Sequence, residues 1–281
     1  VYCSNYKTDD GIVQVFLEKG DRLTGASSTQ TGGKTGGRIH TMDEVRGLCV
    51  VLMVIYHAFY TTGYLFGFSV GRDFISFFSP AEPFIASVFI LISGISSNLS
   101  RSNVKRGAKL LLVAAAVTLV TVFITPQGAI YFGILHFLSI AMLLFGLLQK
   151  AMGKIPLGLG LAACAVLYFI TYGIPQGFLG IPGLLGVSLP NELYQTEFLF
   201  FLGFKSPHFF SADYFPLLPH IFTFLFGTFL GRLALSGRFP RALYKKRVPP
   251  LSFIGRHALI IYILHQPVIY GACLLVSLFV K

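Results

Sequence analysis

Seven long apolar stretches set the pattern of this chain, separated by polar segments rich in Gly, Pro, Lys and Arg. They run over Val45–Phe66, Glu82–Asn98, Ala108–Ile124, Ala129–Leu148, Ile155–Tyr172, Pro216–Leu235 and Leu251–Val280. About 20 apolar residues in an α-helix cross the hydrocarbon core of a bilayer, so each stretch predicts a span. Pro83 sits at a helix start, where proline is tolerated, and Pro267 predicts a kink in the last span. Ser93-Gly94 and Ser96-Ser97 are small enough to predict close helix contact. Residues 67–80 read as a loop, and Thr125-Pro126-Gln127-Gly128 as a tight turn. Residues 173–215 are too rich in Gly, Pro and polar residues for a span, with a short interfacial helix expected over Glu192–Phe204.

Residues 1–37 follow a different pattern. Gly11–Leu17 predicts a short strand, and GASSTQTGGKTGG (25–37) reads as a flexible linker. They contain no apolar core of a signal peptide, so none is expected here. The expected organisation is a polar N-terminal segment over 1–37, an artefact or a functional tail, followed by a transmembrane domain over 38–281.

Composition agrees with the pattern. Of 281 residues, 54% are apolar and 12% charged, with a mean hydropathy of +0.72. The fold class is an all-α polytopic transmembrane bundle of about seven spans. Trp is absent, but 29 Phe and 13 Tyr supply interfacial anchors. A net charge of +11 invites a nucleic-acid reading, which the placement of the charge opposes. One set of alternate loops carries the basic clusters at 101–109, 150–154 and 238–256. The other carries only Arg72, Lys205 and Lys281. The excess of basic residues in cytoplasmic loops then places the N-terminus and Arg46 inside and the C-terminus outside. Cys3, Cys49, Cys164 and Cys273 show no CxxC or metal spacing and read as small apolar fillers.

The chemistry-bearing pattern lies at the first span. Asp43 and Arg46 form an i,i+3 pair, and His57 follows eleven residues after Arg46. Eleven residues at ~100° each is three turns plus about 20°, which puts Arg46 and His57 on one face about 16 Å apart. In a soluble core such a histidine is usually bonded to a neighbour. At membrane depth an ionisable side chain more often faces an internal cavity. Arg46, Arg101, Lys105, Arg106 and Arg256 are expected at the inner mouths of the first, second, third and last spans. They suit either anionic lipid or a phosphate-bearing ligand. On the other side Asp73, Glu82 and Asp213 suit a cationic or polyhydroxyl substrate, although Glu82 and Asp213 also fit helix caps. His136 and His265 fall within spans and suggest, with His57, a polar path through the protein. His265-Gln266-Pro267 reads equally as a structural kink with a polar partner. No HxxxH or HExxH spacing supports a metal site.

Five stretches together resemble the heparan-α-glucosaminide N-acetyltransferase catalytic-domain family in its short bacterial form. They are MDEVRGLCVVLMVIYH (42–57), FILISGISSNLSRSNVKRG (89–107), YFGILHFLSIAML (131–143), ADYFPLLPHIFTFLFGTFLG (212–231) and LSFIGRHALIIYILHQPV (251–268). The resemblance covers about residues 38–281. It implies a multi-pass protein of the bacterial cytoplasmic membrane that moves an acetyl group from cytosolic acetyl-CoA to an extracytoplasmic sugar. Asp43, Arg46 and His57 would be catalytic, with His57 as base. Arg46, Arg101, Lys105, Arg106 and Arg256 would hold the donor, and Asp73, Glu82, His136, Asp213 and His265 the acceptor. Lysosomal members use a histidine just beyond this helix as an acetylated intermediate. Residues 59–72 hold no histidine here, which favours direct transfer. The expected acceptor is an envelope glycan or glycolipid, with no nucleic acid and no metal involved. The sequence leaves the oligomeric state open, a homodimer included. It also leaves N- and O-acetylation unseparated. A transporter or flippase with a histidine proton relay is the alternative, opposed by the lack of an internal repeat.

Overall fold

The computed structural model describes residues 38–181 and 184–279. The expected strand at Gly11–Leu17, the linker at 25–37 and Cys3 lie outside the described residues. Among those described, seven helical stretches are long and apolar enough to cross a bilayer. Helices pair most of their backbone polar groups within themselves, as hydrocarbon requires.

Helix α1 (His40–Tyr60) continues through a π-helical turn at Thr61–Leu65. The chain then folds back at once. Residues 67–80, expected as a loop, contain helix α2 (Ser69–Phe78). Gly71, Phe74, Ile75 and Phe78 fall on one helical face. Phe74 stacks on Phe59 at 3.8 Å and Phe78 reaches Tyr56 at 6.5 Å. Gly63 and Gly71 let the two backbones touch. The second crossing stretch is therefore Ser69–Asn98, and helix α3 (Glu82–Asn98) is only its second part. Glu82, expected at the start of a span, stands in the first turn of α3.

Helix α4 (Asn103–Ile124) begins at a Ser102 cap that accepts from the Lys105 N–H at 3.3 Å. Lys105, Arg106 and Lys109 therefore stand on its first turns rather than in a loop. Helices α5 (Ile134–Met152), α6 (Leu157–Thr171) and α7 (Leu217–Leu235) follow the apolar stretches closely. The expected helix over Glu192–Phe204 is absent. Instead β1 (Phe178–Ile181) pairs antiparallel with β2 (Leu185–Ser188), with Phe178 opposite Ser188. Two short 3-10 turns, Asn191–Tyr194 and Phe200–Leu202, complete the segment. Pro190 and Gly203 bound it and break helical continuity. The all-α expectation is thus amended by one small hairpin.

The last apolar stretch also divides differently. Its break falls at His257, between α8 (Pro249–Arg256) and α9 (Ala258–Phe279), and α9 runs through Pro267. The cause is packing on α1. A Cβ on Gly47 would overlap the Leu251 carbonyl, and one on Gly255 the Asp43 carbonyl. Glu44 accepts from the Arg247 and Val248 N–H groups at 2.6 and 2.9 Å, capping α8. Helix α8 thus lies antiparallel on the first turns of α1, and the chain must turn before α9 can run alongside the rest of it.

Helices α3 and α7 make the closest pair in the middle. Gly94 meets Phe224 and Gly227 meets Leu91 without room for a methyl group, the close contact expected of small residues there. Ile90, Phe137, Leu138, Ala141, Phe145 and Phe224 form the apolar core around that contact. Helix α1 lies on one flank of this core and α4 on the other, and between them the packing leaves a cavity.

Candidate active site

The cavity has a volume of about 1910 Å³, well above the ~300–1,000 Å³ of an ordinary small-molecule pocket. Asp43, Arg46 and His57 all line it, so the stripe expected on the first helix faces one space. Arg46 is held from two sides. Its Nη1 donates to Asp43 Oδ1 at 3.0 Å and its Nη2 to Ser96 Oγ at 2.7 Å. Asp43 Oδ2 also accepts from Arg38 Nε at 2.6 Å. Arg106, Lys109 and Arg256 line the same end. Arg256 Nε is buried with no hydrogen-bond partner. Glu44 is occupied by the α8 cap, so among the described residues Asp43 alone offsets the cations here. Five basic side chains against one carboxylate make this end an anion site by charge. Arg101 and Lys105, expected in the same set, do not reach the cavity wall.

The far end is different. Glu82 and Asp213 line it, with Tyr56, His220 and Tyr262. Residues 212–215 are tied to the approach to α5 by Ala212 N–H to Ala129 O and Phe215 N–H to Phe132 O. This brings Asp213 to the start of α5, where it accepts from the Ile134 N–H at 3.0 Å and from the Tyr262 hydroxyl at 2.6 Å. Burial pushes the Asp213 carboxyl above the usual carboxylate range, and these two donors pull it back in part. Glu82 has no hydrogen-bonding or cationic partner among the described residues. Its one fixed support is its place in the first turn of α3. His220 Nδ1 is buried and unpartnered.

His57 lies between the ends. Its Nδ1 meets Gln266 Nε2 at 3.1 Å, and its ring stands 5.1 Å from that of His265. His265 Nδ1 donates to the Tyr262 carbonyl at 2.6 Å, and its Nε2 is buried without a partner. His265 is therefore behind His57 rather than on the cavity wall. His136 is elsewhere. Its Nδ1 accepts from the Gly133 N–H at 3.3 Å and its Nε2 binds Thr118 Oγ1 at 3.1 Å. Asp73 is exposed on the outer face of α2. Neither Asp73 nor His136 meets the cavity.

Sequence reasoning missed Ser96, Tyr262, His220 and Gln266 as parts of the site, and Glu44 as the cap on α8. Only Gln266 carried a signal, a polar residue beside Pro267 in an apolar helix. The sequence model of the heparan-alpha-glucosaminide N-acetyltransferase catalytic domain matches residues 38–267. The chain belongs to that family. Comparison with curated proteins and with solved structures found no match. As a member of the heparan-alpha-glucosaminide N-acetyltransferase family, with seven helical stretches able to cross a bilayer, the chain is an integral, multi-pass, acetyltransferase-like membrane protein. The matched region spans both ends of the cavity, from Arg38 to Gln266 and Pro267.

Proposed function

We propose that this protein takes an acetyl group from acetyl-CoA on the cytosolic side and delivers it to a sugar amine or hydroxyl on the other. The acceptor is a glycan or glycolipid of the bacterial cell envelope. The observation that carries this reading is the single cavity with a cationic end, an acidic end and His57 between them. Arg46, Arg106, Lys109 and Arg256 suit the phosphates of CoA, since guanidinium and ammonium groups bind phosphate by charge-assisted bonds. Glu82, unpaired and facing the cavity, suits an acceptor ammonium or hydroxyl. Asp43 keeps Arg46 pointed along the wall.

Transfer proceeds in one step on bound donor and acceptor. The acceptor nitrogen or oxygen attacks the acetyl carbon, the new bond forms, and the carbon–sulfur bond breaks. His57 takes the acceptor's proton, and that proton restores the departing CoA thiolate to the thiol. Direct transfer is favoured because residues 59–72 offer no histidine for an acetyl-enzyme. The test is purified protein in lipid with radiolabelled acetyl-CoA and a panel of amino sugars and glycolipids. Products are identified by mass spectrometry and by lability to hydroxylamine, which cleaves esters and spares amides. Acceptor-dependent loss of acetyl-CoA with a labelled product is expected. Transport of an intact glycolipid without acetyl-CoA loss would replace the reading with a flippase.

A further inference from the structure

The side chain that sets what His57 can do is Gln266. The two meet across α1 and α9 at 3.1 Å, and the other end of the amide meets Thr61 Oγ1 at 3.3 Å. Thr61 is 2% exposed and opens the π-helical turn that extends α1. Such turns insert one extra residue and re-aim the side chains beside them. Here the turn brings Thr61 to the same amide that His57 uses. The contact is thus a three-part unit of imidazole, amide and hydroxyl, with Thr61 buried and His57 and Gln266 half-buried.

Two arrangements of this unit pair the amide with both the imidazole and the hydroxyl. In the first, Gln266 Nε2 donates to His57 Nδ1 and Thr61 donates to Gln266 Oε1, as placed in the structure. The neutral imidazole then carries its proton on Nε2, the nitrogen left for the cavity, and can take no other there. In the second, the amide is turned over. His57 Nδ1–H donates to Oε1, and Gln266 Nε2 donates to Thr61, whose hydroxyl accepts as readily as it donates. Only this arrangement leaves Nε2 free to accept a proton. An imidazolium, which donates from both nitrogens, also demands it.

We infer that Gln266, backed by Thr61, is a positioning residue that selects the His57 tautomer and accepts from Nδ1 while His57 holds the acceptor's proton. The inference rests on His57 acting as the base proposed above. Atoms balance without a further reactant: the amide exchanges which of its ends faces the ring, and the ring proton passes from Nε2 to Nδ1 by exchange with solvent. The other ionisable groups around His57 do not do this. His265 on α9 faces it ring to ring, but its Nδ1 is committed to the Tyr262 carbonyl. Tyr262 is committed to Asp213. Tyr56 stands edge-on beside His57 along α1, at 5.6 Å between centroids. Glu82 on α3 lies on the cavity wall. From α2, the apolar rings of Phe74 and Phe78 pack on Phe59 and Tyr56 beside His57.

The experiment uses the full chain in nanodiscs with three proteins, wild type, Gln266→Met and Gln266→Glu. Nitrogen-15 histidine spectra over a pH series read the His57 tautomer, assigned by the signal lost in His57→Asn. Acetyl-CoA consumption over the same series reads kcat and KM. Gln266→Glu gives Nδ1–H a fixed anionic acceptor, so the proton is expected on Nδ1. The acid limb of the rate profile should then move about one pH unit or more to higher pH. Gln266→Met should lower kcat by about tenfold to a hundredfold with acetyl-CoA KM unchanged. If Gln266→Met does not fold, Gln266→Glu decides by itself. A His57 tautomer and titration identical in wild type and Gln266→Glu would overturn the inference, whatever the activity. If wild type consumes no acetyl-CoA, the acetyltransfer reading fails and the spectra still decide the role of Gln266.

Discussion

The surroundings of His57 and of His136 show how two histidines in similar apolar stretches come to differ. His136 is fully committed. Thr118 gives its proton to the Ile130 carbonyl at 2.7 Å, so it receives one from His136 Nε2. Nδ1 receives from the Gly133 N–H. Both nitrogens are fixed by backbone or by a hydroxyl tied to backbone, and the ring serves as a clamp between α4 and the start of α5. His57 has one nitrogen on an amide that binds in either sense and the other left over beside a cavity. A ring with two fixed partners is structure. A ring with one reversible partner and an open nitrogen is available for proton transfer.

Exchanging the two roles is the strongest way to break this comparison. His57→Gln should fold and lower acetyl transfer by at least about 100-fold, the usual scale for loss of a general base. A His57→Gln protein that folds and transfers near the wild-type rate would make His57 a structural residue, and His220, which also lines the cavity, the next candidate. At the cationic end, Arg46→Ala should raise the acetyl-CoA KM by about tenfold or more, since a hydrogen bond to a charged group is worth roughly 1.5–3 kcal/mol. Arg101→Ala, away from the cavity, should leave KM unchanged; equal effects would show that the cavity is not the donor site.

Smaller effects sharpen the structural half. His136→Leu strands the Gly133 N–H and removes a partner of Thr118. Its cost is about 1–3 kcal/mol of stability for each group left buried and unpaired. The kcat of the folded fraction should be kept, and thermal unfolding beside activity measures both. The weakest effect concerns Asp213, whose folded carboxyl holds its proton to higher pH than in the unfolded chain. The folded state then binds more protons over that window. Stability should fall as pH rises from the ordinary carboxylate value through the folded one, and then level. Asp213→Asn keeps an acceptor for Ile134 and Tyr262 and should remove that dependence, as unfolding midpoints across pH would show.

Much of this fold is legible in the apolar pattern, because lipid demands long helices and little else can cross it. Where the reading slipped, the cause was contact between elements. Residues 67–80 looked like a loop because their polar face is broad. Their helix exists through Phe74 and Phe78 packing on α1 and the Gly63–Gly71 approach. The last helix was expected to bend at Pro267, yet breaks at His257 because Gly47, Gly255 and the Glu44 cap draw α8 onto α1. In the site, helical geometry sufficed for Asp43, Arg46 and His57, which share one helix and one face. It was insufficient for partners from other helices. Ser96, Gln266 and Tyr262 are ordinary in sequence and acquire meaning only by whom they meet. Glu82 and Asp213 were expected on the outer side, as substrate contacts or as helix caps. The structure separates them by role, with Asp213 accepting at the start of α5 and Glu82 without a partner among the described residues.

The central claim is that one cavity connects a donor on one side of the membrane with an acceptor on the other through His57. Proteoliposomes of uniform orientation test it, with labelled acetyl-CoA outside, at the cationic end, and an amino-sugar acceptor sealed inside. The account predicts acetylated product in the lumen with wild-type protein and loss of that product with His57→Gln. Product confined to the donor's side, or equal luminal product from His57→Gln, would contradict it.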